Sequence, residues 1–156
     1  MSLPSRLAHM LQVGRTCEWL AAELFDWPEE KCRQMFLLGF LHDVGYAYAV
    51  VQDEHPEIGG ELLRQAGYQY WQEVCWHGVV DAPYGSDELL LLNIADMLTD
   101  GQGCLVTKRE RLDDIQQRYG LESEQYLNAV ALCEEVDAAF CSLLIKSTWL
   151  QALWIG

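Results

Sequence analysis

Apolar residues return every three or four positions along almost the whole chain, and a period near 3.6 commits it to helices rather than sheet. Residues from about 5 to 24 set Leu7, Met10, Leu11, Cys17, Leu20 and Leu24 along one side of a first helix. Asp26 reads as an N-cap with Pro28 just inside a second helix, which runs through Met35, Phe36, Leu38 and Leu41. Pro56-Glu57 opens a third that ends near Gly67, and a short fourth covers about 68 to 77. Ser86-Asp87-Glu88 precedes LLLLNIADML, apolar on nearly every face and so predicted to be the most buried helix. Thr107 with Glu110 fits a capping box before a helix that Gly120 can stop. Ser123 or Glu124 begins a long last helix through Leu132, Val136, Phe140 and Leu144. Only residues 47–51 (AYAVV) look like a strand. No repeat or flexible linker divides the sequence, so the expected fold class is all-α: a compact single-domain bundle of about seven helices.

With 156 residues and 51% of them apolar, one core of ordinary size suffices without staples. Twenty-four acids against ten bases give a net charge of −14, which argues against a nucleic-acid polymer or an anionic membrane surface as partner. The most apolar stretch, 138–155, is interrupted by Lys146, Ser147, Thr148 and Gln151 and reads as a core or interface helix rather than a membrane span. Its Trp149 and Trp154 suit packing on the core or on a second copy, so a homodimer stays open. The start, MSLPSRLAHM, lacks the apolar run of a secretory signal. Six cysteines occur without a CxxC pair, which favours buried free thiols in a reducing, cytoplasmic setting.

The chemistry concentrates in four histidines. His42-Asp43 follows the apolar run MFLLGFL and precedes Gly45, so an imidazole and a carboxylate leave a core helix together. His55 stands at the entry to the third helix among Asp53, Glu54 and Glu57, and His77 ends the fourth before Gly78. Asp96 is a carboxylate in an otherwise greasy helix, where an unpaired charge is expensive. Taken singly, His9 and His77 read as packing residues, Asp96 as one half of an ion pair, and Asp100 as an alternative functional acid. Taken together, four imidazoles and two carboxylates suit zinc, iron, manganese or nickel, and could hold two ions with one bridging carboxylate.

The ordered series His9 (in RLAHMLQV), His42-Asp43 (in LGFLHDVG) and Asp96 (in ADMLTDG) resembles the HD-domain superfamily of metal-dependent phosphohydrolases, which are all-α. His55 in EHPEIGGELL and His77 in CWHG resemble the subset with a dinuclear site, ordered His, His-Asp, His, His, Asp. The resemblance implies a single HD-like domain over 1–156, with the metal-site core in about 5–120 and a C-terminal helical extension from 121. It implies that His9, His42, Asp43 and Asp96 hold one metal, and that His55 and His77 complete a second site sharing Asp43. Iron is the first candidate for both ions, with manganese, nickel or zinc as the others.

His42 and Asp43 then carry the catalysis, with metal-bridged hydroxide cleaving a phosphate ester or anhydride of a small nucleotide-like substrate. Two other readings fit the same scaffold: a di-iron oxygenase, or a nucleotide-binding protein without turnover. Many relatives carry Lys after the Gly of the doublet, whereas Tyr46 stands here. Arg6, Lys108 and Arg109 are the candidates to replace that phosphate-binding cation, with Tyr46 beside them. Asp53, Glu54, Glu57 and Asp81 are candidates to hold imidazole N–H groups. Tyr46, Tyr48 and Trp76 either line a pocket and stack on a base or belong to the core.

Overall fold

The first helix, α1 (Leu3–Phe25), begins where Ser2 Oγ accepts from the Ser5 N–H and Pro4 occupies the first turn. It ends at Asp26, whose left-handed backbone (φ 51°) forms a C-cap, and α2 (Glu29–Leu41) starts after Pro28. The reading of Asp26 as an N-cap is therefore corrected: the residue closes the helix before it, and Pro28 holds the N-cap position without a side-chain bond. A 3₁₀ turn (Val44–Ala47) leads towards α3 (His55–Gln65) and the short α4 (Trp71–Trp76). Next come α5 (Asp87–Met97), capped by Ser86, and α6 (Lys108–Tyr119), opened by the reciprocal Thr107–Glu110 capping box. The predicted long helix through Leu144 is α7 (Glu124–Leu144), and the apolar tail adds α8 (Thr148–Trp154), where Ser147 caps a new start by accepting from the Leu150 N–H. The computed structural model describes residues 2–47, 54–144 and 146–155. The strand-like segment lies, beyond Ala47, outside the described residues. Among those described there is no strand, only an isolated bridge between Thr99 and Leu105.

The core forms where apolar residues of six helices, α1, α2, α4, α5, α7 and α8, meet. Leu20 and Leu24 of α1, Met35 and Leu38 of α2, and Leu91, Leu92 and Ile94 of α5 are sealed from solvent with Leu150 and Trp154 of α8. Each buried aliphatic side chain contributes about 1.5–3 kcal/mol. As its composition foretells, α5 is buried almost throughout. Leu7 leaves the predicted stripe and is exposed, while Trp154 packs on its own chain. No helix among the described residues is long and apolar enough to cross a membrane. All six cysteines are free, and Cys104 and Cys141 are exposed, which corrects the expectation of buried thiols.

Backbone-to-backbone contact sets the spacing of the first four helices. A Cβ on Gly39 would stand 2.7 Å from the Gly14 Cα, so α1 and α2 touch without side chains between them. Gly45 lies against the His55 carbonyl and the Gly59 N–H in the same way, and Gly60 against Cys75. These contacts fasten α2, the 3₁₀ turn, α3 and α4 in sequence. His42, His55 and His77 all lie within four residues of one of them.

Candidate metal centre

The last carbonyls of a helix have no partner in a following turn. His42 follows the last residue of α2 and His77 the last of α4, and each donates its Nδ1–H to the carbonyl three residues earlier, Gly39 O and Val74 O, both at 2.6 Å. A carbonyl only accepts, so the proton sits on Nδ1 and Nε2 points away from the helix end. His9, inside α1, donates its Nδ1–H to the Asp100 carbonyl at 2.9 Å. The Asp100 side chain fixes that carbonyl by accepting from the N–H groups of Gln102 and Cys104. Asp100 is thus a positioning residue for His9 rather than an alternative acid at the cluster.

All six nominated side chains come together. Asp43 stands at the centre: its Oδ1 is 3.1 Å from His55 Nε2, 3.3 Å from His42 Nε2 and 3.6 Å from His77 Nε2, while Oδ2 is 3.6 Å from His9 Nε2. Asp96 Oδ1 lies 2.9 Å from His9 Nε2 and 3.3 Å from His42 Nε2. Two groups among the described residues have ligand atoms all within 4.8 Å of one another: His9, His42 and Asp96, and His42, Asp43 and His77. His55 adjoins the second group, with Nε2 3.2 Å from that of His77.

These residues fit a cation. His42 Nε2 is buried between two carboxylate oxygens yet makes no directed hydrogen bond to either. His77 has spent its proton on Val74, so its Nε2 meets that of His55 as an acceptor. Buried acceptors gathered this closely call for positive charge between them. The titration directions agree. Burial disfavours the charged form of His42, but Asp43 and Asp96 outweigh it and hold the imidazole well above its ordinary range. Burial would raise both carboxylates, yet the histidines around them hold Asp43 and Asp96 well below the usual range. At His77 burial prevails and lowers the value. An N/O donor set of this kind suits iron, manganese, nickel or zinc.

The cluster forms one wall of a cavity of about 500 Å³, with Tyr46 beside it. Helices α6 and α7 contribute Arg111, Ile115, Gln125, Asn128 and Leu132 to its lining, the last three from α7. Arg6 lays its guanidinium 3.3 Å over the Tyr46 ring, and Arg6 Nη1 is buried without a hydrogen-bond partner. Burial pushes the Tyr46 phenol up to about 12, so at neutral pH it is a hydrogen-bond donor.

None of the three nominated cations lines the cavity, Arg6 meeting it only through the Tyr46 ring it covers. Lys108 lies 3.8 Å from the Asp137 carboxylate and over the Trp154 ring, and Arg109 is exposed. The residue missed was Arg111. Helical spacing could have found it, because Arg111 and Ile115 share a face four residues apart. Glu54, Glu57 and Asp81 are exposed, and backbone carbonyls, not acids, accept from His9, His42 and His77. Asp53 and Tyr48 lie outside the described residues.

Comparison with known proteins places this geometry. The family model of the HD domain matches residues 6–100, a span that holds all six converging side chains. No curated protein and no solved structure matches the chain.

Proposed function

The chain belongs to the HD domain family, a superfamily of metal-dependent phosphohydrolases, and on that footing we propose that it hydrolyses a small phosphorylated substrate with two metal ions bound at the histidine cluster. His9, His42, Asp43 and Asp96 would hold one ion, and His55 and His77 the other, with Asp43 shared. Bound there, divalent ions supply Lewis-acid charge for phosphoryl oxygens and acidify water towards neutral pH.

The observation that carries this reading is the unsatisfied His42 Nε2, fixed by its Gly39 bond between the Asp43 and Asp96 oxygens. The protein's own share of the work is preorganisation. Three imidazoles are locked by backbone carbonyls, so their Nε2 atoms need no reorientation when charge arrives. Tyr46, protonated and on the cavity wall, donates to a substrate oxygen, and Arg6 stacked over it supports that position with positive charge.

Phosphate release from a panel of phosphoesters, by chelated protein and by protein reconstituted with iron, manganese, nickel or zinc, tests the proposal. Release that requires metal and is lost in Asp43→Asn supports it. Failure on the whole panel with every metal would overturn it, and oxygen uptake with an iron-loaded sample would replace it with the oxygenase reading.

A further inference from the structure

Arg111 lines the same cavity as the histidine cluster but comes from α6, beyond the matched residues 6–100. Its side chain is 18% exposed, and its Nε is buried with no hydrogen-bond partner. The ion pair it makes with Asp114 spans 3.7 Å from Nη1 to Oδ2, beyond hydrogen-bond length, and Asp114 is shared with Arg118 Nε at 3.3 Å. Asp114 Oδ2 is likewise left without a hydrogen bond. A guanidinium fork with a buried unpaired donor at a cavity wall matches a planar or tetrahedral oxyanion. Glu124, the acid on the same wall, is exposed and solvated.

Among its described lining residues the cavity offers no open face of a Phe, Tyr or Trp ring. Tyr46 is the one Phe, Tyr or Trp among its described lining residues. Arg6 lies 3.3 Å from the centre of that ring and the His55 ring 3.8 Å from it, nearly parallel. Two groups so close cannot share one face, so both faces are taken and no nucleobase can stack there. Val79, Val80, Ile115 and Leu132 give the wall an aliphatic part beside the polar Gln125 and Asn128.

We propose that the substrate is a phosphate ester carrying a second anionic group, carboxylate or phosphate, on a short aliphatic skeleton, and that Arg111 grips this second anion. The inference rests on the phosphohydrolase reading for its scissile phosphate, while the Arg111 site stands on its own geometry. The test measures kcat/KM for phosphoglycerate, glycerol phosphate and adenosine monophosphate, and binding of the non-hydrolysable phosphonoacetate by calorimetry.

The metal-reconstituted protein is expected to favour phosphoglycerate by about tenfold or more over the other two, the equivalent of one charge-assisted hydrogen bond. Arg111→Gln should erase most of that preference through KM and weaken phosphonoacetate by a similar factor. Arg111→Lys should restore part of both, and the exposed Arg109→Gln should change neither. Preference for the nucleotide, or an unchanged phosphonoacetate affinity in folded Arg111→Gln, would overturn the proposal. Hydrolysis of none of the esters, with phosphonoacetate binding still dependent on Arg111, would overturn the hydrolase reading and keep the anion site.

Discussion

Helices α1 to α4 meet through their backbones, whereas α6 to α8 meet the rest through side chains. In the first region Gly14 against Gly39, Gly45 against Gly59 and Gly60 against Cys75 leave no room for even one methyl group. In the second, α6 has no buried residue, and Leu132, Val136, Leu150 and Trp154 supply the packing of α7 and α8. The difference follows the division of labour proposed here. Groups that must converge within about 4 Å on a shared ion tolerate little error in helix spacing, so the spacing is set by backbone. A wall that only has to fit a substrate can be built from side chains, which change without moving the metal site.

The comparison can be broken in order of effect. Asp43→Asn removes the carboxylate that all four histidines approach, and should lower kcat/KM by at least about a hundredfold, because even residues supporting metal ligands often cost that much. Inductively coupled plasma analysis of the same sample should show metal lost with the activity. Trp154→Ala empties a fully buried position in the side-chain-packed region and should cost about 3–5 kcal/mol in urea unfolding. At low temperature the folded variant should still bind metal, because the cluster is carried by α1 to α5 and not by α8.

Gly39→Ala pushes a methyl group into the Gly14 backbone, and overpacking of this kind costs about 1–3 kcal/mol. Unlike Trp154→Ala, it should weaken metal affinity in the folded state, since it separates His9 from His42. Equal metal affinity in these two variants would abolish the distinction between the regions. Thr107→Ala removes the capping box of α6 and should lower stability by about 1 kcal/mol, read from the thermal midpoint, with metal affinity unmoved.

Much of this was legible in the sequence where local chemistry decides. Ser86, Thr107 and Gly120 announce helix ends because capping is a contact within four residues. Asp26 misled because a short acid beside proline suits either end of a helix, and the left-handed backbone that decided it is set by how α1 turns into α2. The polar residues that interrupt the apolar tail are visible in the sequence, but that Ser147 among them caps a separate α8 shows only in its bond from the Leu150 N–H.

At the site, the six converging residues were readable because polar groups in greasy surroundings are costly and occur here in a familiar order. Their supports were not. Gly39, Val74 and Asp100 contribute carbonyls, which no side-chain pattern reveals. Lys108 and Arg109, the residues nominated, and Arg111, the one missed, differ in helix phase, which turns the first two towards Asp137 and solvent and Arg111 to the cavity.

Metal stoichiometry tests the central claim most directly. Protein saturated with iron, manganese or zinc and then desalted should retain two ions per chain by elemental analysis, falling to one or none in Asp43→Asn. A wild-type chain that retains no ion after loading, or that binds as many with Asp43 replaced, would contradict the account.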